Sequence, residues 1–384
     1  MTTSPADAPS TPQDAPGRGR RKRRRILLAV GAPVALLAAA AGAFFAFGGY
    51  ERLEDSRSMK QACQGALSKK DLSAFLDRDR LHAEKRTDAA RGLGWVDRCV
   101  VLPRGGKTGV VDVDIGWADK TRDVLSRLGR PGPAAFAFTA VPIGNGWSGA
   151  VLPNAANTDA TVLLPCRGTD RTLMVNVTGF RLNSDTEVFR DPKALGTLAR
   201  LTTGTAERAA RKLGCEAAPG APVKTLSPPP LGDEGAIPLN QAAGTCRALK
   251  PAADAFAVSG GHTVEETAAD DGPVEDCIVS DRRGGRLYRL GAFYGPYARE
   301  VLAQQKTASL SGTDGRSIGS WATAECRGFF GQAGFTLTSE RGSHASARTP
   351  AVRRAQQAML AAFARDAVRR HGCSDLTLPR ADTD

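Results

Sequence analysis

Eight cysteines that fall into one pattern twice constrain this chain more than any other feature. Cys63, Cys99, Cys166 and Cys215 are followed by Cys246, Cys277, Cys326 and Cys373, in matching local contexts. Cys166 and Cys326 each open Cys-Arg-Gly, whereas Cys215 and Cys373 each follow a glycine, Gly214 or Gly372. Asp191-Pro192 and Thr349-Pro350 each begin a helical pattern, and both caps lie 24 residues before the closing cysteine. The repetition predicts two related domains, residues 50–216 and 238–378. Between them lies a proline-rich linker, 217–237, expected to be extended and semi-rigid.

The ends place those domains. Residues 1–25 hold seven basic and two acidic side chains and end in RGRRKRRR, which predicts a disordered basic tail. Residues 26–48, ILLAVGAPVALLAAAAGAFFAFG, carry no charge. As a helix they reach roughly 34 Å at about 1.5 Å per residue, enough for a hydrocarbon core of about 30 Å. The basic cluster in front predicts a cytoplasmic N-terminus and exported C-terminal domains, making this a single-pass protein of the cell membrane. A cleaved signal peptide ending near Ala41-Gly-Ala43 is the competing reading, but the apolar run exceeds the usual 7–15 residues or so. Residues 379–384 are read as a tail.

Cysteine usage agrees with export. An even count without CxxC spacing predicts disulfides in an oxidising compartment. The duplication favours Cys63–Cys99, Cys166–Cys215, Cys246–Cys277 and Cys326–Cys373 among 105 pairings. Each would close a loop of about 30–50 residues, worth roughly 3.5–4 kcal/mol in the chain-entropy picture. No zinc-knuckle spacing is present, so neither metal nor cofactor is expected. The net charge of +12 suits the membrane and anionic envelope polymers; a basic run flush against an apolar span reads as a topology signal, not nucleic-acid binding. Arg outnumbers Lys 40 to 12, a bias of high-GC bacterial coding and of actinobacteria in particular.

Each repeat reads as α+β: a helix with the first cysteine (52–76, 239–257), a strand with the second (WVDRCVVL, VEDCIVS), and a further strand. A short helical turn follows, where Arg122-Asp-Val-Leu125 matches Arg299-Glu-Val-Leu302. Two more strands and a long capped helix complete the unit. The interval Cys99–Cys166 spans 67 residues against 49 for Cys277–Cys326, so repeat 1 carries an insertion. Its Gly144-Asn-Gly-Trp-Ser-Gly149 matches GxGxxG, but strand material follows where a phosphate site needs a helix. It is read as a β-hairpin whose exposed Trp147 is a candidate for binding a partner.

Three further patterns are weighed. Gly315-Arg-Ser317-Ile-Gly319 matches the nucleophile-elbow GxSxG, yet the elements around it run in the wrong order. Glu265, Glu266, Asp270, Asp271, Glu275 and Asp276 lack EF-hand spacing and are read as a solvated loop. Asp112 and Asp114 alternate on a strand opposite Val111, Val113 and Ile115, which predicts a solvent face.

The early cysteine contexts ACQGALS and GTCRALK, with VDRC and VEDC after them, resemble the membrane-anchored envelope domains of unknown function common in actinobacteria. That resemblance implies a surface domain that binds or senses something. The expected function is therefore a non-catalytic binding, sensing or scaffolding module of the envelope. An extracytoplasmic enzyme, a serine hydrolase at Ser317 or a thiol-redox protein, is the alternative.

Overall fold

Alternating apolar residues build two antiparallel sheets of seven strands each, joined by long amphipathic helices into an α+β structure. The computed structural model describes residues 40–46, 48–86, 93–105, 109–128, 138–153, 157–181, 188–229, 235–252, 260–270, 272–307, 318–339 and 350–379. Residues 55–384 belong to one compact unit, and the residues before them to another.

Residues 40–46 are helical, and Gly48 (φ 68°) precedes helix α1, Gly49–Gln61, which begins in the first unit and ends in the second. Phe44, Phe45 and Tyr50 are exposed, with Phe45 and Tyr50 stacked at 6.3 Å. Most of the expected span 26–48 lies outside the described residues, and no described helix is long and apolar enough to cross a membrane.

Repeat 1 contributes β1 (Leu81–Lys85), β2 (Trp95–Pro103), β3 (Gly109–Trp117), β4 (Val141–Gly144), β5 (Trp147–Pro153), β6 (Thr158–Pro165) and β7 (Thr172–Arg181). They lie in the order β1-β2-β3-β7-β6-β5-β4. Repeat 2 contributes β8 (Ile237–Pro238), β9 (Thr263–Glu266), β10 (Val274–Ser280), β11 (Arg286–Tyr294), β12 (Ile318–Cys326), β13 (Gln332–Ser339) and β14 (Cys373–Thr377), in the order β14-β12-β13-β11-β10-β9-β8. Five strands match in both place and sequence order: β1-β2-β3-β7-β6 against β9-β10-β11-β13-β12. The extra strands differ, because β5-β4 flank β6 while β14 flanks β12.

One face of each sheet is covered by its own helix. Helix α3, Pro192–Lys212, is capped by Asp191, whose carboxylate accepts from the Lys193 N–H at 2.8 Å, and Gly214 (φ 68°) follows its end. It buries Leu195, Leu198, Leu201 and Ala206 against Val111, Val113, Val162 and Val175. In repeat 2, α4 spans Pro296–Thr307 and α5 spans Pro350–Arg370; α5 buries Met359, Phe363 and Ala367 against Leu290, Ala324 and Phe335. The disulfides are Cys63–Cys99, Cys166–Cys215, Cys246–Cys277 and Cys326–Cys373, and no cysteine is free.

The first-cysteine segments are less helical than their periodicity suggests. Cys63 and Gln64 take left-handed backbone (φ 48° and 57°), which ends α1 and gives a short turn before α2, Lys69–Leu76. In the described part of the helix expected over 239–257, repeat 2 has two tight turns, Leu239–Gln241 and Arg247–Ala252, and 253–257 lie outside the described residues. The Glu266 carboxylate draws the intervening chain into a nest, accepting from the N–H groups of Ala243, Gly244 and Cys246 at 2.7–2.8 Å.

Candidate binding site

The second faces of the two sheets meet. Trp95, Leu125, Leu152, Leu163 and Met174 of repeat 1 share a third core with Val274, Phe293, Tyr297 and Val301 of repeat 2. The matched tetrapeptides face each other there. Glu300 accepts from the Val124 and Leu125 N–H groups at 2.6 and 3.4 Å, and Arg299 donates to the Ala118 carbonyl. The Tyr297 hydroxyl lies 2.5 Å from Thr161 Oγ1 and donates to Asn176 Oδ1 at 3.4 Å; burial pushes its pKa well above the usual phenol value.

This packing corrects the expected solvent face of β3. Asp114 is 4% exposed and pairs with the buried Arg98, Nε to Oδ1 at 2.5 Å. Burial, only partly offset by Arg86, raises the pKa of Asp112. Repeat 2 has a buried pair of opposite polarity on the same face, with Arg289 at the position of Asp112 and Gly291 at that of Asp114. Asp276, at the position of Arg98, accepts from Arg289 Nε at 3.2 Å and from the Ala140 N–H of repeat 1 at 2.8 Å.

Most of the acidic stretch is likewise no solvated loop: Glu265 and Glu266 lie on β9 and Glu275 and Asp276 on β10, and only Asp270, among its described acidic residues, is exposed between them. Glu265 is 2% exposed and takes a two-pronged bond from Arg286, at 3.1 and 2.7 Å. Glu275 is fully buried on the α5 face of β10, where Arg370 grips both its oxygens at 2.7 Å and His371 Nε2 lies 2.7 Å from Oε1. Arg370 Nε also donates to Asp366 Oδ2 at 3.0 Å, and the Tyr294 ring lies 4.3 Å from that of His371. Burial would raise the Glu275 pKa, but the hydrogen bonds from Arg370 and His371 outweigh it and hold the carboxyl below its ordinary value. Burial lifts the Tyr294 phenol far above 10. This dense cluster locks the end of α5 to the sheet beside Cys326–Cys373.

The hairpin of repeat 1 forms as β4–β5, turned by Asn145 and Gly146 with φ of 57° and 78°, a type I′ arrangement. Trp147 is not exposed, however. It is 3% accessible and donates from Nε1 to the Ala221 carbonyl at 2.9 Å. The linker is thereby tied to repeat 1: Ala221 N–H donates to Asn145 O, Leu226 N–H to Pro192 O, and Val223 and Leu226 are buried. Ser317 and Asp271 lie outside the described residues. Among those described, no three His, Cys, Asp or Glu side chains are grouped to hold a metal.

An open cleft of about 390 Å³ lies in repeat 2 between β12, the first half of α5 and the end of β14. Its lining includes Trp321, Thr323, Arg353, Gln356, Gln357 and Thr377. Trp321 is 41% exposed, the largest exposed apolar side chain in the described part of residues 55–384. Gln356 is only 8% exposed, and its Nε2 has no hydrogen-bond partner among the described residues. A buried amide N–H without an acceptor costs about 1–3 kcal/mol, so the cleft presents a donor awaiting an acceptor. Sequence periodicity hid this site, because Gln356 sits among the apolar positions of α5. Comparison with Leu198, at the same place in α3, was the signal that could have found it.

Comparisons with known proteins add little. No protein family matches the chain, and no curated protein does. Among solved structures, it is aligned with the di-domain ARO/CYC StfQ from the steffimycin biosynthetic pathway at 13% identity, over 74% of this chain and 89% of that one. The TM-score is 0.14, and a likeness at that level carries no argument.

Proposed function

We propose that this protein is a single-pass, membrane-anchored module of the bacterial cell envelope that binds a ligand outside the cytoplasm without catalysing its conversion. The cleft of repeat 2 is the observation that carries the binding reading. It combines an exposed aromatic face with amide, hydroxyl and guanidinium groups, and one of its buried amides lacks an acceptor among the described residues. Wet, amphipathic surfaces of that composition recur where proteins recognise polar partners.

Placement outside the cytoplasm rests on the four disulfides and on the basic cluster before the apolar run. The exposed Phe44, Phe45 and Tyr50 at the end of that run suit an interfacial aromatic belt. The actinobacterial source rests on codon-driven composition and on the resemblance of the early cysteine contexts alone.

Two experiments test the reading in native cells. Variants that each gain one cysteine, Ser4→Cys or Asp375→Cys, are treated with a membrane-impermeant thiol reagent; labelling of the second alone is expected, and labelling of the first would reverse the topology. A photo-crosslinking amino acid at position 321 should give defined adducts, while the same group at buried position 147 gives none. Absence of adducts at 321 would sink the binding reading.

A further inference from the structure

The internal duplication supplies a template for what the cleft holds. Taken from Cys166 and Cys326, the two strands that flank the long helices align with an offset of 160, and the sheet registers agree over 160–165 and 320–325: Thr161 pairs with Asn176, and Trp321 with Thr336, while a bulge between Ile318 and Ser320 shifts the start of β12 by one residue. In repeat 1, the outer edge of β6 from Thr158 to Val162 is paired with β5, residue against residue from Pro153 to Gly149. The equivalent edge of β12 runs from Ile318 to Ala322. β14 pairs only with Thr323, Glu325 and Cys326, so no described strand covers the edge from 318 to 322. The hairpin that covers it in repeat 1 is the insertion that repeat 2 lacks.

The neighbouring side chains differ at the same place. Leu195, Leu198 and Ala199 of α3 are buried beneath Val151 and the linker in one apolar core. Their counterparts in α5 are Arg353, Gln356 and Gln357, which line the open cleft. Trp321 stands where repeat 1 has the buried Thr161. The chain's own β14 stops short of this edge for a local reason: Pro379, two residues past its end, has no N–H to donate to a ladder. An unpaired edge beside a polar cleft is a template for strand addition.

We propose that the β12 edge from Ile318 to Ala322 and the adjoining cleft dock an extended segment of a partner protein, added antiparallel in the place that β5 holds in repeat 1. The segment carries a hydrogen-bond acceptor, a carboxylate or amide oxygen, at the position of Val151, where it receives the Gln356 N–H. Trp321 packs over its opposite face as the apolar anchor. This deepens the binding-module reading and rests on it. Backbone bonds supply the affinity, and the acceptor over Gln356 supplies the selectivity.

The test uses the full chain in detergent and two end-blocked peptides of residues 148–154, the parent SGAVLPN and its Val151→Glu form. Amide exchange and chemical shifts of residues 318–322 and of the Trp321 indole report binding. The acidic peptide should bind at least tenfold more tightly than the parent and slow the outer-edge amides. Gln356→Leu, which installs the residue repeat 1 uses, should reverse the preference, and Trp321→Ala should weaken both peptides. Both variants should keep wild-type thermal stability or better. Failure of either peptide to perturb 318–322 at millimolar concentration, or equal preference in Gln356→Leu, overturns the proposal. Edge amides already slow in the free chain, and freed by truncation after Pro379, would assign the edge to this chain's own residues. Concentration-dependent shifts without peptide would assign it to a second copy. Protease-resistant adducts at 321 in cells would point to a polysaccharide; each of these three overturns strand addition, and the last leaves the binding reading standing.

Discussion

Arg370→Met isolates the most heavily committed polar contact of repeat 2. Arg370 holds the fully buried Glu275 by two 2.7 Å bonds, and its own side chain is 13% exposed. Methionine keeps the volume near the stem but leaves a buried carboxylate with His371 as its remaining close partner. Removing one member of a buried pair costs about 3–5 kcal/mol, and two bonds to charged groups at roughly 1.5–3 kcal/mol each give an overlapping range of about 3–6 kcal/mol. Urea unfolding of the purified chain should therefore show a lowered midpoint with an unchanged slope. Glu275→Leu combined with Arg370→Met should lose less than the sum of the single changes, because no orphan charge remains.

The pH dependence provides an independent sign. In the wild type, Glu275 and Asp366 both lie below their ordinary values of 4.5 and 3.8, with burial opposed by hydrogen bonds from Arg370. A depressed carboxyl adds stability that is complete above its unfolded value and is lost as pH falls through the folded one. Wild-type protein should thus destabilise below about pH 4.5. In Arg370→Met, burial prevails at Glu275 and its folded value moves above the unfolded one. That contribution is then complete below pH 4.5 and is lost as pH rises, so the variant's deficit should shrink on acidification. A deficit under about 1 kcal/mol at pH 7, or one independent of pH, would refute the account of this cluster as a structural lock.

Three further outcomes follow from the packing. Tyr297→Ala removes a buried ring and two polar contacts from the shared third core, which should cost about 3–5 kcal/mol and split one calorimetric transition into two. Gly196→Ala would place a Cβ 2.5 Å from the Lys224 carbonyl, so a change that gains up to about 1 kcal/mol in a free helix should instead destabilise and expose the linker to limited proteolysis. Replacing both Cys326 and Cys373 with serine opens a loop with 47 residues of separation and should cost about 4 kcal/mol, read by urea unfolding of the otherwise oxidised protein.

What could be read from the sequence was local. Cap residues, the glycines after the long helices and strand alternation each act within a few residues, so the α+β class and the presence of disulfides were legible. Burial on the far face of a sheet is not local. Asp114 alternates like a solvent residue and Asp276 sits in what reads as an acidic loop, and nothing nearby in sequence shows that a second sheet packs over them and buries them with arginines of the neighbouring strands. Trp147 looked exposed because its partner, the Ala221 carbonyl, lies 74 residues away across the linker. Gln356 reads as a surface glutamine from its own surroundings in sequence; only its match to Leu198 in the other repeat hinted otherwise, and the cleft beside it decided the matter. Spacing and backbone chemistry are enough to specify the duplication, its staples and its helix ends. Which polar groups are locked and which strand edge no described strand covers was settled by long-range packing, because both depend on atoms that lie far apart in the sequence.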